Sequence, residues 1–281
     1  MLFQLTSGQC PFAVWANLGF NHTSDLTFFS AWAAALSYTF QIYFDFSGYT
    51  DMALGSAKLF NINLPPNFNT PYRADNIQEF WRRWHMTLSR WLRDYLYFPL
   101  GGNRKGPTRT YVNVLLTFLL GGLWHGAGWT FVCWGLLHGI GTSIHKLWSR
   151  RGFQLSAFTG WLGTFLFLNV TWVFFRATSL ESAGNVLKAM AGFNGVVFPK
   201  SLAVFSWLTH YDLTFGPVFG IGNIYEICFV TVVFGTIGVL GKNSLELQYM
   251  STRKWTLVTT FMLLYSVNSI EKVSEFLYFN F

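Results

Sequence analysis

His125 lies in Gly121-Gly-Leu-Trp-His-Gly-Ala-Gly128, where four glycines open an otherwise apolar run. An ionisable side chain in such a setting marks a candidate site. A neutral imidazole can take the proton of a hydroxyl while that oxygen attacks an acyl carbonyl. Burial keeps the ring neutral and so suits it to the role of base. The same residue also reads as a core histidine bonded to a backbone carbonyl, with the glycines serving close helix packing. His85, which ends Phe80-Trp-Arg-Arg-Trp-His85, is the second candidate. It reads either as an interfacial side chain reaching toward headgroups or as a partner converging on His125 from another segment. Trp124, next to His125, is a candidate substrate contact.

Other groups narrow the chemistry. Asp45, in Tyr43-Phe-Asp-Phe-Ser-Gly-Tyr-Thr-Asp51, is an acid at the end of an apolar stretch. An ion pair with an arginine of the following helix is the preferred reading, with substrate contact or catalysis as the other. Arg82 and Arg83, with Arg90 and Arg93, are available to headgroups or to an anionic acyl donor. His22 and His210 fall in loops. His138 and His145 share a helix face but have no acidic neighbour, so no metal site is expected. Cys10, Cys133 and Cys228 are scattered and read as small hydrophobes. The sequence has no GxSxG, no phosphate loop and no Cys–His pair in a catalytic setting. Direct transfer without a covalent enzyme intermediate, and without a bound cofactor, is therefore the simpler expectation.

The elements that must hold these residues can be read in order. Residues 1–25 are mixed. A first span covers 26–46, then a break at 47–51 and a short helical run to about 60. Residues 61–76 contain Pro65, Pro66 and Pro71 and must form an ordered loop. Residues 76–98 read as one amphipathic interfacial helix: on a 100° wheel, Trp81, Trp84, Leu88, Trp91, Leu92 and Tyr95 share a face opposite Arg82, Arg83, Arg90 and Arg93. On that wheel His85 sits at the edge of the aromatic face. The 34 residues of 111–144 would make about 51 Å of helix, too long for one simple span of a core of roughly 30 Å. They are expected to form two short helices meeting at the glycines, with His125 at the tip. Further spans are expected at 157–175, 224–240 and 255–270. A polar helix capped by Ser179 is expected at 179–191, followed by a loop to 223.

Of the 281 residues, 52% are hydrophobic and only 11% charged, against about a quarter charged in soluble chains. That marks an all-α integral membrane protein, a multi-span bundle in one membrane-embedded domain over 1–281. The net charge of +7 is assigned to headgroups and orientation, not to nucleic acid. Short basic segments at 104–109, 146–151 and 242–254 are placed in the cytoplasm, leaving 176–223 and the C-terminus outside.

Four stretches resemble signatures of the membrane-bound O-acyltransferase family: residues 43–55, Phe80-Trp-Arg-Arg-Trp-His85, residues 93–104 and Leu123-Trp-His-Gly-Ala-Gly-Trp-Thr-Phe131. Residues 275–281 also look like a family terminus. The likeness is greatest to the bacterial alginate O-acetyltransferase-like branch, with teichoic acid D-alanyl transfer more distant. The resemblance implies re-entrant or broken helices around a central funnel in the bacterial inner membrane. It implies transfer of acetyl from a cytoplasmic thioester, acetyl-CoA or another, to hydroxyls of an exported polysaccharide, with extracytoplasmic partner proteins. His125 would be the catalytic histidine and His85 the second. It also implies several helices ahead of the first motif, so the chain reads as a C-terminal part of such a protein. From another class, a scaffold or conduit that only passes acyl groups to a partner enzyme fits the same features.

Overall fold

The computed structural model describes residues 11–200, 214–216, 224–241, 243, 246 and 252–268. Cys10, His210, most of the loop up to 223 and the C-terminal motif at 275–281 lie outside them. The regular elements among the described residues are helices apart from one parallel pairing, Phe198–Pro199 (β1) with Phe215–Gly216 (β2), inside the segment expected to be loop.

Helix α1 (Pro11–Asn21) forms where no confident span was expected. It starts at proline, which suits a first helical position, and buries Phe12, Trp15, Ala16 and Phe20, packing on α2. Helix α2 (Phe28–Leu59) is a single 32-residue helix, so the break expected at 47–51 does not occur. There Thr50 Oγ1 donates to Phe46 O at 2.9 Å, a local back-bond that a helix tolerates.

The proline loop after α2 is ordered, as expected, and its hydrogen bonds explain the next element. The interfacial helix is broken in two, α3 (Ile77–Arg83) and α4 (Met86–Leu92), and then widens into a π turn at Arg93–Tyr97. At the break His85 has φ 41° and ψ 54°, the left-handed region. The loop crosses this break and takes up its freed groups: Met86 N donates to Asn67 O at 2.9 Å and Asn69 N donates to Arg83 O at 2.9 Å. The single expected wheel therefore fails beyond Arg83. Trp84 is buried, whereas Trp91 and Tyr95 are 49% and 67% exposed.

Helices α5 (Gly106–His125) and α6 (Trp129–Arg150) form the expected hairpin. They are longer than 111–144 allowed, about 30 and 33 Å at 1.5 Å per residue. They pack at backbone contact: a Cβ on Gly122 would lie 2.4 Å from Phe131 O, and one on Gly135 2.4 Å from Phe118 O. Then follow α7 (Ala157–Arg176), α8 (Leu180–Met190), α9 (Ile224–Leu240) and α10 (Arg253–Asn268), close to the expected bounds. Ser179 caps α8, its Oγ accepting from Ser182 N at 3.0 Å.

The core is aromatic. Trp84 packs on Tyr43, Phe68, Tyr72, Phe80 and Trp172. Tyr72 OH donates to Thr39 O at 2.6 Å, and Thr39 Oγ1 donates to Asn169 Oδ1 at 2.9 Å, tying the loop and α7 to α2. Arg73 closes the C-terminus of α9: its guanidinium donates to Val239 O, to Leu240 O at 2.6 Å and to Gly241 O at 2.8 Å. A cation there also offsets the negative end of the helix dipole. Among the described residues, α7 is the helix that meets the length and apolarity needed to cross a bilayer unaided. Outward-facing Leu120, Leu136, Ile140, Ile144, Phe261 and Leu264 add apolar surface on the hairpin and on α10.

Candidate active site

His125 is the last residue of α5, and the turn of Gly126–Gly128 separates it from α6. The turn needs glycine at 126 for space: a Cβ would meet the Phe131 ring at 2.4 Å. The imidazole is half-buried. Three rings hold it edge-on: Trp124 at 4.9 Å, Trp134 at 5.3 Å and Phe175 at 5.1 Å between centroids. Neither ring nitrogen has a hydrogen-bond partner among the described residues. Trp124 is 60% exposed, so the expected substrate contact forms an open wall beside the ring.

His85 reaches the same region from the other side. Its ring packs on Phe46 of α2 at 4.8 Å, and its Nδ1 is 3.1 Å from Asn67 Oδ1. That oxygen also accepts from Thr87 N at 3.1 Å and Thr87 Oγ1 at 2.8 Å. Because an amide oxygen only accepts, Nδ1 must carry the proton and Nε2 is the lone-pair nitrogen of the neutral ring. The two histidines lie within electrostatic reach of each other. Contact between α4 and the last turn of α5 accounts for this: a methyl on Gly121 would sit 3.4 Å from Leu92 Cδ1. The fold thus brings His85 and His125, expected to converge, within electrostatic reach of each other.

Trp134 and Asn67, absent from the sequence reading, complete the cluster together with His138, which was weighed there only as a metal ligand. His138 is fully buried and accepts a hydrogen bond from Trp81 Nε1 at 3.2 Å. Trp134 contacts both His125, at 5.3 Å, and His138, at 4.8 Å. The signal was present in part, since Gly135 and Gly139 let α6 approach α5 on either side of His138.

The charged candidates sit elsewhere. Arg83 Nε is 2.7 Å and Arg82 Nη1 3.4 Å from the Glu79 carboxylate. Burial alone would raise the Glu79 carboxyl, and the two guanidiniums, Arg83 foremost, hold it below its usual range. Arg93 pairs with Asp94 at 2.8 Å. Arg82 is also within electrostatic reach of His145, near the far end of α6. Among the described residues, Arg82 and Arg83 make their ion pairs within α3, and Arg93 pairs with the adjacent Asp94.

These features define a helical protein built around a glycine-opened hairpin that presents a histidine. The chain belongs to the membrane-bound O-acyltransferase family, whose sequence profile matches residues 18–184. It is 46% identical over 280 residues to a peptidoglycan O-acetyltransferase of Helicobacter pylori, covering 96% of this chain and 53% of that protein. It is 41% identical over 270 residues to a probable alginate O-acetylase, AlgI, of Pseudomonas putida, covering 89% of this chain and 53% of that one. A teichoic acid D-alanyltransferase of Streptococcus thermophilus matches 123 residues at 37% identity, 41% of this chain and 29% of that protein. The chain thus spans about half the length of the first two relatives.

Proposed function

We propose that the protein is an O-acyltransferase of the bacterial cytoplasmic membrane that moves an acetyl group from a thioester donor to hydroxyls of an exported polysaccharide. The observation that carries this reading is the half-buried imidazole of His125 at the glycine break, with no hydrogen-bond partner for either ring nitrogen among the described residues. A lone pair held in that way is available to a hydroxyl. In the transfer, His125 takes the hydroxyl proton as the oxygen attacks the thioester carbonyl. The C–O bond forms, the C–S bond breaks, and the departing thiolate receives the proton. His85, fixed through Asn67, orients a substrate or shares the proton through Nε2. Trp124 lines the acceptor or donor path, and Arg82, Arg83 and Asp45 contribute to substrate contact.

The relatives named for peptidoglycan and for alginate support a polysaccharide acceptor. The donor is acetyl-CoA or a carrier-bound thioester, and extracytoplasmic proteins complete delivery. We assign several membrane crossings around a central funnel, with the hairpin tip inside the membrane. The D-alanyltransferase likeness favours a second reading, in which the same histidine transfers D-alanyl to teichoic acid.

The test is polymer acetylation in cells carrying His125→Ala. Loss of acetylation with the protein still in the membrane supports the assignment. Unchanged acetylation overturns it, and a polymer that gains D-alanyl esters instead favours the second reading. Donor passage that is unaltered in the variant would mark the protein as a conduit for a partner enzyme.

A further inference from the structure

A cavity lies at the opposite end of the hairpin from His125, lined by Asp75, Asn76, His145, Trp148, Ser149 and Phe153, among others. Sixteen residues of α6 separate His145 from the start of that helix, about 24 Å of axis, so this is not part of the histidine site. Its volume is about 290 Å³, at the lower end of small-ligand pockets. That suits a headgroup-sized molecule and not a whole nucleotide cofactor.

One wall is an acid on a rigid platform. Asn76 Oδ1 caps α3 by accepting from Glu79 N at 2.8 Å. Trp161 Nε1 donates to Tyr72 O at 2.9 Å. Gly160 approaches so closely that a Cβ would lie 2.6 Å from Asp75 O. The Asp75 carboxylate is exposed and takes a hydrogen bond from the Asn76 amide at 2.7 Å. It forms no ion pair among the described residues, although the protein carries a net charge of +7. A second wall is aromatic: Trp148 and Phe153 sit 5.0 Å apart at 47°, and are 42% and 53% exposed. A carboxylate beside open indole and phenyl faces is the environment an ammonium prefers. The third wall offers hydrogen-bonding groups: His145 Nε2 and Ser149 Oγ lie 3.4 Å apart, and both Asp75 and Arg82 are within electrostatic reach of His145. Those groups suit a phosphate.

We propose that this cavity binds a phosphoethanolamine headgroup, its ammonium between Asp75 and the Trp148–Phe153 pair and its phosphate against His145 and Ser149. A purely anionic headgroup would face Asp75 unpaired. A choline headgroup would keep the ring contact but could not donate a hydrogen bond to the carboxylate. The source is either a bilayer lipid or the free headgroup, and the experiment separates them.

The purified protein in detergent is titrated with short-chain phosphatidylethanolamine, phosphatidylcholine and phosphatidylglycerol, and bound molecules are counted by native mass spectrometry. Wild type is expected to retain the ethanolamine lipid about tenfold better than the other two. Asp75→Asn and Trp148→Leu are each expected to erase that preference without lowering total lipid retention. Competition by glycerophosphoethanolamine identifies the soluble source, and its failure to compete identifies the lipid. Equal retention of the three lipids by wild type, or a preference that survives Asp75→Asn, overturns the proposal. The readout does not involve acyl transfer, so its failure and that of the histidine assignment are distinguishable.

Discussion

Gly122→Ala perturbs the hairpin at its closest approach while leaving every proposed functional group in place. The added methyl would lie 2.4 Å from Phe131 O, 3.2 Å from Gly135 Cα and 3.3 Å from Gly135 N. These are backbone atoms of a packed helix, so no side chain can rotate away. Restoring ordinary contact at 3.4 Å requires α5 and α6 to part by about 1 Å, a form of overpacking that typically costs about 1–3 kcal/mol. His125 is three residues further along α5, and its ring is held by Trp134 of α6. A shift there moves the imidazole relative to its cage. A misplacement of about 1 Å lowers catalysis by about a hundredfold. The assay is acetyl transfer by purified Gly122→Ala beside wild type, with thermal unfolding in detergent run in parallel. A variant that stays folded and transfers within twofold of wild type would refute the argument that backbone contact sets the position of His125.

Other substitutions probe separate joints. Asn67→Ala leaves His85 Nδ1, Thr87 N and Thr87 Oγ1 without their shared acceptor, and should lower the transfer rate more than substrate affinity, as steady-state kinetics would read. Arg73→Ala removes the cap on three carbonyls of α9. With hydrogen bonds from a charged donor worth about 1.5–3 kcal/mol each at most, thermal unfolding should shift clearly downward. Arg73→Lys should recover only part of the loss, because a point charge cannot reproduce the guanidinium fork. Trp81→Phe deletes the donor to buried His138 and should cost on the order of 1 kcal/mol of stability, measured by the same unfolding assay.

The hairpin was legible because its signals are local: apolar runs on either side, four glycines at the turn and a lone histidine. Ser179 as the cap of α8 and the limits of α7 and α9 were legible for the same reason. The break at His85 was not. Nothing in Trp84-His85-Met86 stops a helix by propensity, and the left-handed turn persists because Asn67 and Asn69, distant in sequence, take its hydrogen bonds. The wheel drawn through 76–98 consequently misplaced Trp91 and Tyr95. The opposite error arose at Ser47-Gly48, where breaker residues sit inside one continuous helix. His138 was weighed against His145, seven residues away on its own helix. Its partner is Trp81, 57 residues distant, which one-dimensional spacing cannot reveal.

The account rests on His125 acting directly on the reacting hydroxyl. The most direct measurement follows a radiolabelled acetyl thioester in single turnover with the purified protein and a polysaccharide acceptor, quenched in acid at intervals. The account predicts label passing to polymer hydroxyls with no acetylated protein at any time, and a rate for His125→Gln lower by about 10²–10⁴. Acetylated protein that forms and decays at the rate of transfer, or a His125→Gln rate equal to wild type, would contradict it.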